Sequence, residues 1–165
     1  MVKAIYLTGF MGAGKTTIGE ELAKQLQLPV IDTDQQIERN LNKSIREIFE
    51  QHGEQYFRNQ ETRILKELPT TDTIITTGGG IVINSENRDW MKNNGQVVLL
   101  NADLDTIYER VHKDPNRPIA SKKNKAELID LYQSRVEFYK DCTFIVETAH
   151  KNIDEIVNEI SERLK

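Results

Sequence analysis

The chain has 165 residues, 38% hydrophobic and 29% charged, enough for one domain with a real core and unlike the balance of disordered or fibrous chains. A formal net charge of -4 and a pI near 5.5 leave no broad positive field to draw it onto nucleic acid. No apolar run reaches the roughly 18 residues of a membrane span, and the lone cysteine, Cys142, excludes an internal disulfide or a multi-cysteine zinc site.

Residues 2–7 (VKAIYL) form a short apolar run ended by Thr8-Gly9, and Ile18, Leu22 and Leu26 follow at a spacing of four. The pattern predicts strand, Gly-rich loop and helix, and the glycines and Lys15 that break the run argue against a leader segment. Residues 29–31 (PVI) predict a second strand, and a polar helix with Ile37 and Leu41 begins near Asp34. Ser44 and Glu47 have capping-box spacing before an apolar stripe of Ile45, Ile48 and Phe49. Gly53 is expected to bend that segment, which Phe57, Ile64, Leu65 and Leu68 continue. Residues 73–76 (TIIT), 96–100 (QVVLL) and 143–146 (TFIV) predict three further strands separated by helical patterns. Ile153, Ile156, Val157, Ile160 and Leu164 lie on one face of a last helix. Strands alternating with helices indicate an α/β fold with a five-stranded parallel sheet. Residues 113–125 (KDPNRPIASKKNK) hold two prolines and five basic residues without periodicity, and are expected to form a mobile surface loop.

Residues 9–16 (GFMGAGKT) match G-x-x-x-x-G-K-[ST] at every fixed position, between a predicted strand and a predicted helix. The glycines let backbone N–H groups of residues such as Gly12, Ala13 and Gly14 converge on phosphate oxygens, and the helix N-terminus adds partial positive charge. Such a site takes a nucleoside triphosphate. Lys15 would reach the β- and γ-phosphates, the Thr16 hydroxyl would ligate Mg2+, and Thr17 would help hold the α-phosphate.

Asp32 and Asp34 follow the second strand; in extended backbone, residues two apart point to one side, so both carboxylates are expected at the site. Ligands of parallel sheets bind beyond the carboxyl ends of the strands. Asp32 is the candidate for holding Mg2+ through water and Asp34 for the acceptor hydroxyl, with a plain N-cap as the alternative for Asp34. Gly78, Gly79 and Gly80 end the third strand, where they serve either close approach of a ligand to the backbone or a tight turn. Arg58 is a candidate for gripping a substrate carboxylate, or else pairs with Glu54 or Glu61. Arg117, in the basic loop, either swings onto the transferring phosphoryl or is a solvated charge. Arg135 by itself reads as a surface charge, and Arg110 is a further nucleotide candidate. The three histidines, His52, His112 and His150, fall outside every motif. Trp90 and Tyr139 read as core or pocket-wall residues.

Residues 9–17, Asp32-Thr33-Asp34, the segment from Ile48 to Glu61, Gly78-Gly79-Gly80, Glu86-Asn87-Arg88 and Arg117-Pro118 together resemble the shikimate kinase family over nearly the whole chain. The resemblance implies a single three-layer P-loop kinase domain over residues 1–165 with strand order 2-3-1-4-5, a substrate-binding helical region about residues 34–61 and a lid about 113–125. It implies phosphoryl transfer from ATP, with Mg2+, to the 3-hydroxyl of shikimate in aromatic amino-acid synthesis. Asp34, Arg58, Gly79 and Arg135 are then shikimate contacts, flanked by Gly78 and Gly80, and Arg117 contacts ATP phosphates from the lid, completing a catalytic set with Lys15 and Asp34. A cytoplasmic monomer without nucleic-acid or membrane partners is expected. The alternatives are a kinase for another small hydroxy acid or nucleoside monophosphate, and a noncatalytic nucleotide switch. Against the switch, no glycine has an Asp three positions before it, so the D-x-x-G element of GTPase switches is missing.

Overall fold

A computed structural model describes residues 1–112 and 124–165. Five parallel strands, β1 (Ala4–Thr8), β2 (Val30–Asp32), β3 (Ile74–Thr76), β4 (Gly95–Asn101) and β5 (Phe144–Glu147), pair in the order β2-β3-β1-β4-β5. Each crossover carries helix, as parallel neighbours require: α1 (Lys15–Leu26), α2 (Thr33–Leu41), α3 (Ile45–His52), α4 (Glu54–Glu67), α5 (Ser85–Asn94), α6 (Leu104–His112), α7 (Lys125–Tyr139) and, after β5, α8 (Ile153–Arg163). The strands lie within a residue or two of the runs read from the sequence. Their ends are set by where neighbours supply a ladder rather than by where apolar residues stop. Thus β1 starts at Ala4, while Lys3 makes only an isolated antiparallel bridge to Thr71.

The two-residue period of the strands divides the core into two layers. Ile5 and Leu7 with Ile74, Val98 and Leu100 face α1 and α8, packing on Ile18, Leu22, Ile156, Val157 and Ile160. Ala4 and Tyr6 with Ile75, Val97 and Leu99 face the opposite side, packing on Met91 of α5, Ile107 of α6 and Leu128 and Tyr139 of α7. Helices on both faces make the expected three layers. One residue departs from the reading of α8: Ile153, assigned to its buried face, is 40% exposed, because it opens the first turn beyond the edge of the layer.

A separate small core of Ile37, Ile48, Phe57 and Ile64 ties together α2, α3 and α4. The expected capping box is present: Glu47 N–H donates to Ser44 Oγ at 3.1 Å and Ser44 N–H to Glu47 Oε1 at 3.5 Å. Such a cap contributes about 1 kcal/mol to a helix of this length. Gly53 ends α3 and opens α4, which is the expected bend. The basic loop and Arg117 lie outside the described residues except for its end, where Asn124 caps α7 through Glu127 N–H at 2.8 Å and Lys125 begins the helix.

Candidate active site

The loop leaving β1 turns tightly. Ala13 N–H donates to Phe10 O at 3.1 Å, and Gly14 holds a left-handed conformation directly before Lys15 opens α1. Glycine at position 9 is required twice over: its φ is +149°, and a Cβ there would stand 2.5 Å from the carbonyl oxygen of Leu100 in β4. Lys15 Nζ donates to the carbonyls of Gly9 and Phe10, the latter at 3.3 Å, so the ammonium lies within its own loop. Thr16 and Thr17 are exposed in the first turn of α1, where hydroxyls and helix N–H groups meet solvent. From α6, Arg110 Nη1 donates to Gly12 O at 2.8 Å, which places its charge on the rim of the same loop.

Asp32 and Asp34 both reach this edge, but by a different route from the extended pair read in the sequence. The strand ends at Asp32 and α2 starts at Thr33, so Asp34 already stands in the first helical turn. Asp32, not Asp34, is the N-cap: its Oδ1 accepts from Gln35 N–H at 3.0 Å and its Oδ2 from Thr76 Oγ1 at 2.8 Å. Asp34 is thereby released for the site. Its Oδ1 is buried and accepts no hydrogen bond from the described residues.

A second cluster of charged side chains gathers between α2, α4, the end of β3 and α7. Arg58 donates from Nη1 to Glu61 Oε1 at 2.8 Å and from Nη2 to Glu54 Oε1 at 3.3 Å, so the ion-pair alternative is realised in this structure. The guanidinium nevertheless faces the glycine run, since any Cβ on Gly80 would run into it. A Cβ on Gly78 would lie 2.7 Å from Asp34 Oδ1 and 3.1 Å from Glu61 Oε2, which puts both unpaired carboxylate oxygens against one bare Cα. Arg135 is not a surface charge: it is 7% exposed, and its Nε is buried without a hydrogen-bond partner among the described residues. It reaches Gly79, with Nη1 3.7 Å from the Cβ position there. An arginine on the helix after the basic loop looks solvated in sequence because the inward turn of α7 is a tertiary fact.

The charges of this cluster shift one another. Burial, with the negative charges of Glu61 and Asp32 nearby, pushes the Asp34 carboxyl up to about 7, against the pull of Lys15 and Arg58. Burial likewise raises Glu61 above the usual carboxylate range although Arg58 and Arg135 oppose it. Burial works against the charge of Arg58, but Glu61 and Glu54 outweigh it and hold the guanidinium above its ordinary value. A carboxyl that titrates near neutrality, beside a phosphate loop and two guanidinium groups, is suited to holding or accepting a hydroxyl proton.

Glu61 and Tyr139 were read from the sequence only as a pairing partner of Arg58 and as a core or pocket-wall residue. Glu61 was visible as an acidic residue three positions after Arg58, but its 1% exposure was not. Tyr139 donates to Gly79 O at 2.5 Å.

Known proteins share this sequence and fold. A family model described as "Shikimate kinase" matches residues 11–165. A "Shikimate kinase" of Bacillus cytotoxicus is 48% identical over 163 residues, and one of Bacillus cereus 45% identical over 163, each covering 99% of this chain and 99% of the relative. A solved structure, "Shikimate kinase from Acinetobacter baumannii in complex with shikimate", superposes with a TM-score of 0.94 at 34% identity, covering 99% of this chain and 93% of that one. Strand order, phosphate loop, near-neutral carboxyl and paired guanidinium groups thus occur on a chain that belongs to the shikimate kinase family.

Proposed function

We propose that this chain carries out the reaction of its family, transfer of the γ-phosphoryl of ATP to the 3-hydroxyl of shikimate, giving 3-phosphoshikimate and ADP, and that its residues divide the work as follows. The loop of residues 9–17 holds the triphosphate through backbone N–H groups, with Gly12, Ala13, Gly14, Thr16 and Thr17 around the phosphates and Arg110 on the rim. Lys15 leaves the carbonyls of its own loop for the β- and γ-phosphates, a short move for a flexible four-carbon stem. The Thr16 hydroxyl and, through water, the Asp32 carboxylate are hard oxygen donors beside the phosphates, a set that fits Mg2+. An ion held there would supply positive charge to offset that of the phosphates.

Asp34 takes the acceptor hydroxyl. Its buried Oδ1 supplies an unused acceptor, and its near-neutral carboxyl can receive the proton as the oxygen attacks phosphorus in line. Arg58 and Arg135 grip the acceptor's carboxylate while the backbone of Gly78, Gly79 and Gly80 forms the floor, so binding energy far from the reacting oxygen is used for orientation. Arg117, within a lid about residues 113–125, adds positive charge at the transferring phosphoryl, and α2 to α4, about residues 34–61, form the acceptor-binding region of a single kinase domain. The protein works as a cytoplasmic monomer and needs neither nucleic acid nor a membrane surface.

The observation that carries this reading is the placement of Asp34: free of capping duty, its Oδ1 against Gly78, within the fields of both Lys15 and Arg58. A coupled ADP-release assay with Mg2+ and ATP across shikimate, quinate, gluconate and nucleoside monophosphates tests it. Turnover should be greatest with shikimate. Equal turnover without any acceptor would reject the reading.

A further inference from the structure

We propose that Tyr139 is a positioning residue of the acceptor site, holding the Gly79 carbonyl and the Arg135 guanidinium in the arrangement that receives the substrate's carboxylate. The inference rests on the reading of Arg135 and Gly79 as acceptor contacts given above.

Helical spacing brings Arg135 and Tyr139 together: four residues apart on α7, they lie one above the other on the same face. That face is turned into the protein. Arg135 is 7% exposed and Tyr139 2%, so neither side chain has water as its main partner. The Tyr139 hydroxyl donates to Gly79 O at 2.5 Å, across sixty residues of sequence. Seen from the glycine, Arg135 Nη1 and Tyr139 Oη each lie 3.7 Å from the Cβ position. One bare Cα therefore sits against both groups, and one phenol fixes the orientation of the peptide after it.

The hydroxyl has consequences beyond packing. Gly79 O lies in the peptide joining Gly79 to Gly80, and Gly80 lies against the Arg58 guanidinium. Releasing that carbonyl would let the peptide rotate and would disturb both guanidinium contacts at once. Arg135 Nε is buried with no hydrogen-bond partner among the described residues, while the same guanidinium hydrogen-bonds the Tyr139 side chain. The phenol ring is anchored in turn, edge-on to Phe10 of the phosphate loop at 6.4 Å and stacked with Tyr132 at 6.4 Å. Burial raises the phenol to about 12, so it remains a donor throughout the working range of pH.

Tyr139→Phe keeps the ring and removes only the hydroxyl. The expected result is a shikimate KM raised about tenfold, the size of one lost buried hydrogen bond, with kcat within about twofold and the KM for ATP unchanged. Tyr132→Phe, which removes a hydroxyl from the same aromatic cluster, is the packing control and should leave the shikimate KM alone. An unchanged shikimate KM in Tyr139→Phe, a loss spread equally over both substrates, or the same loss in Tyr132→Phe would overturn the inference. Arg135→Ala separates it from the reading beneath it. If Arg135→Ala leaves shikimate KM unmoved, the placement of Arg135 fails; if it raises the value and Tyr139→Phe does not, the role of Tyr139 fails.

Discussion

The proposed phosphate cradle is made from nine consecutive residues, 9–17, and relies on backbone, whereas the proposed acceptor hollow draws Asp34, Arg58, Glu61, the glycines of residues 78–80, Arg135 and Tyr139 from four separate segments and relies mainly on side chains. In the cradle, Lys15 and Arg110 rest on carbonyl oxygens. In the hollow, oxygens of two buried carboxylates face one glycine, and these oxygens and a buried guanidinium nitrogen have no hydrogen-bond partner among the described residues. Local backbone suffices for phosphate, because any chain that turns its N–H groups inward at a helix start offers the same donors. A small polyhydroxy acid has no such generic receptor, so selectivity has to come from charges that the fold keeps away from water, at a cost in stability.

Arg58→Ala should break this contrast most strongly. Removing one partner of a buried charge pair should lower kcat/KM for shikimate by about a hundredfold, with nucleotide affinity unchanged, as titration calorimetry with an ATP analogue would read. The same change strips Glu61 of its hydrogen-bonded cation and should destabilise the protein by about 3 kcal/mol. Adding Glu61→Gln should restore much of the melting temperature and none of the shikimate affinity. If both recover together, binding and stability are not separate in the hollow.

A smaller effect comes from pH. The ordinary carboxyl of Asp34 titrates near 3.8 and the folded one near 7, so between these values the folded state holds a proton that the unfolded state has lost. Stability from this group is complete below about pH 4 and is lost as pH rises through 7. Thermal melts of the free protein from pH 5 to 8 should therefore fall more steeply for the native chain than for Asp34→Asn. Activity runs the other way: kcat/KM for shikimate should drop about tenfold per unit below pH 7, as a single required base becomes protonated. A flat profile from pH 5 to 7 would leave Asp34 as an orienting group only.

The least effect is expected at the rim of the cradle. Arg110 touches Gly12 through one hydrogen bond to a loop whose backbone already supplies the phosphate donors. Arg110→Ala should raise the KM for ATP about threefold and leave that for shikimate unchanged.

How much of this was legible in sequence follows the same division. The cradle was readable because its chemistry and its geometry occupy the same nine residues: the spacing of Gly9, Gly14 and Lys15 fixes the turn and the donors together. Asp32 and Asp34 were readable as a pair at one edge, but which of them caps α2 was not, since that depends on where the strand stops, and that is set by pairing with β3. Glu61 and Tyr139 were seen only as a neighbour of Arg58 and a wall residue, because burial and a contact across sixty residues leave no local trace.

By itself, then, the order of residues determined an α/β chain with a triphosphate loop after its first strand, since periodicity and the glycine–lysine spacing are local constraints on backbone. Only the tertiary structure decided that Arg135 turns inward, that Asp34 is freed by Asp32 and lies near neutrality, and that Tyr139 holds Gly79. Each depends on which surfaces are removed from water when α2, α4 and α7 close on the end of β3, and desolvation is a property of the packed whole.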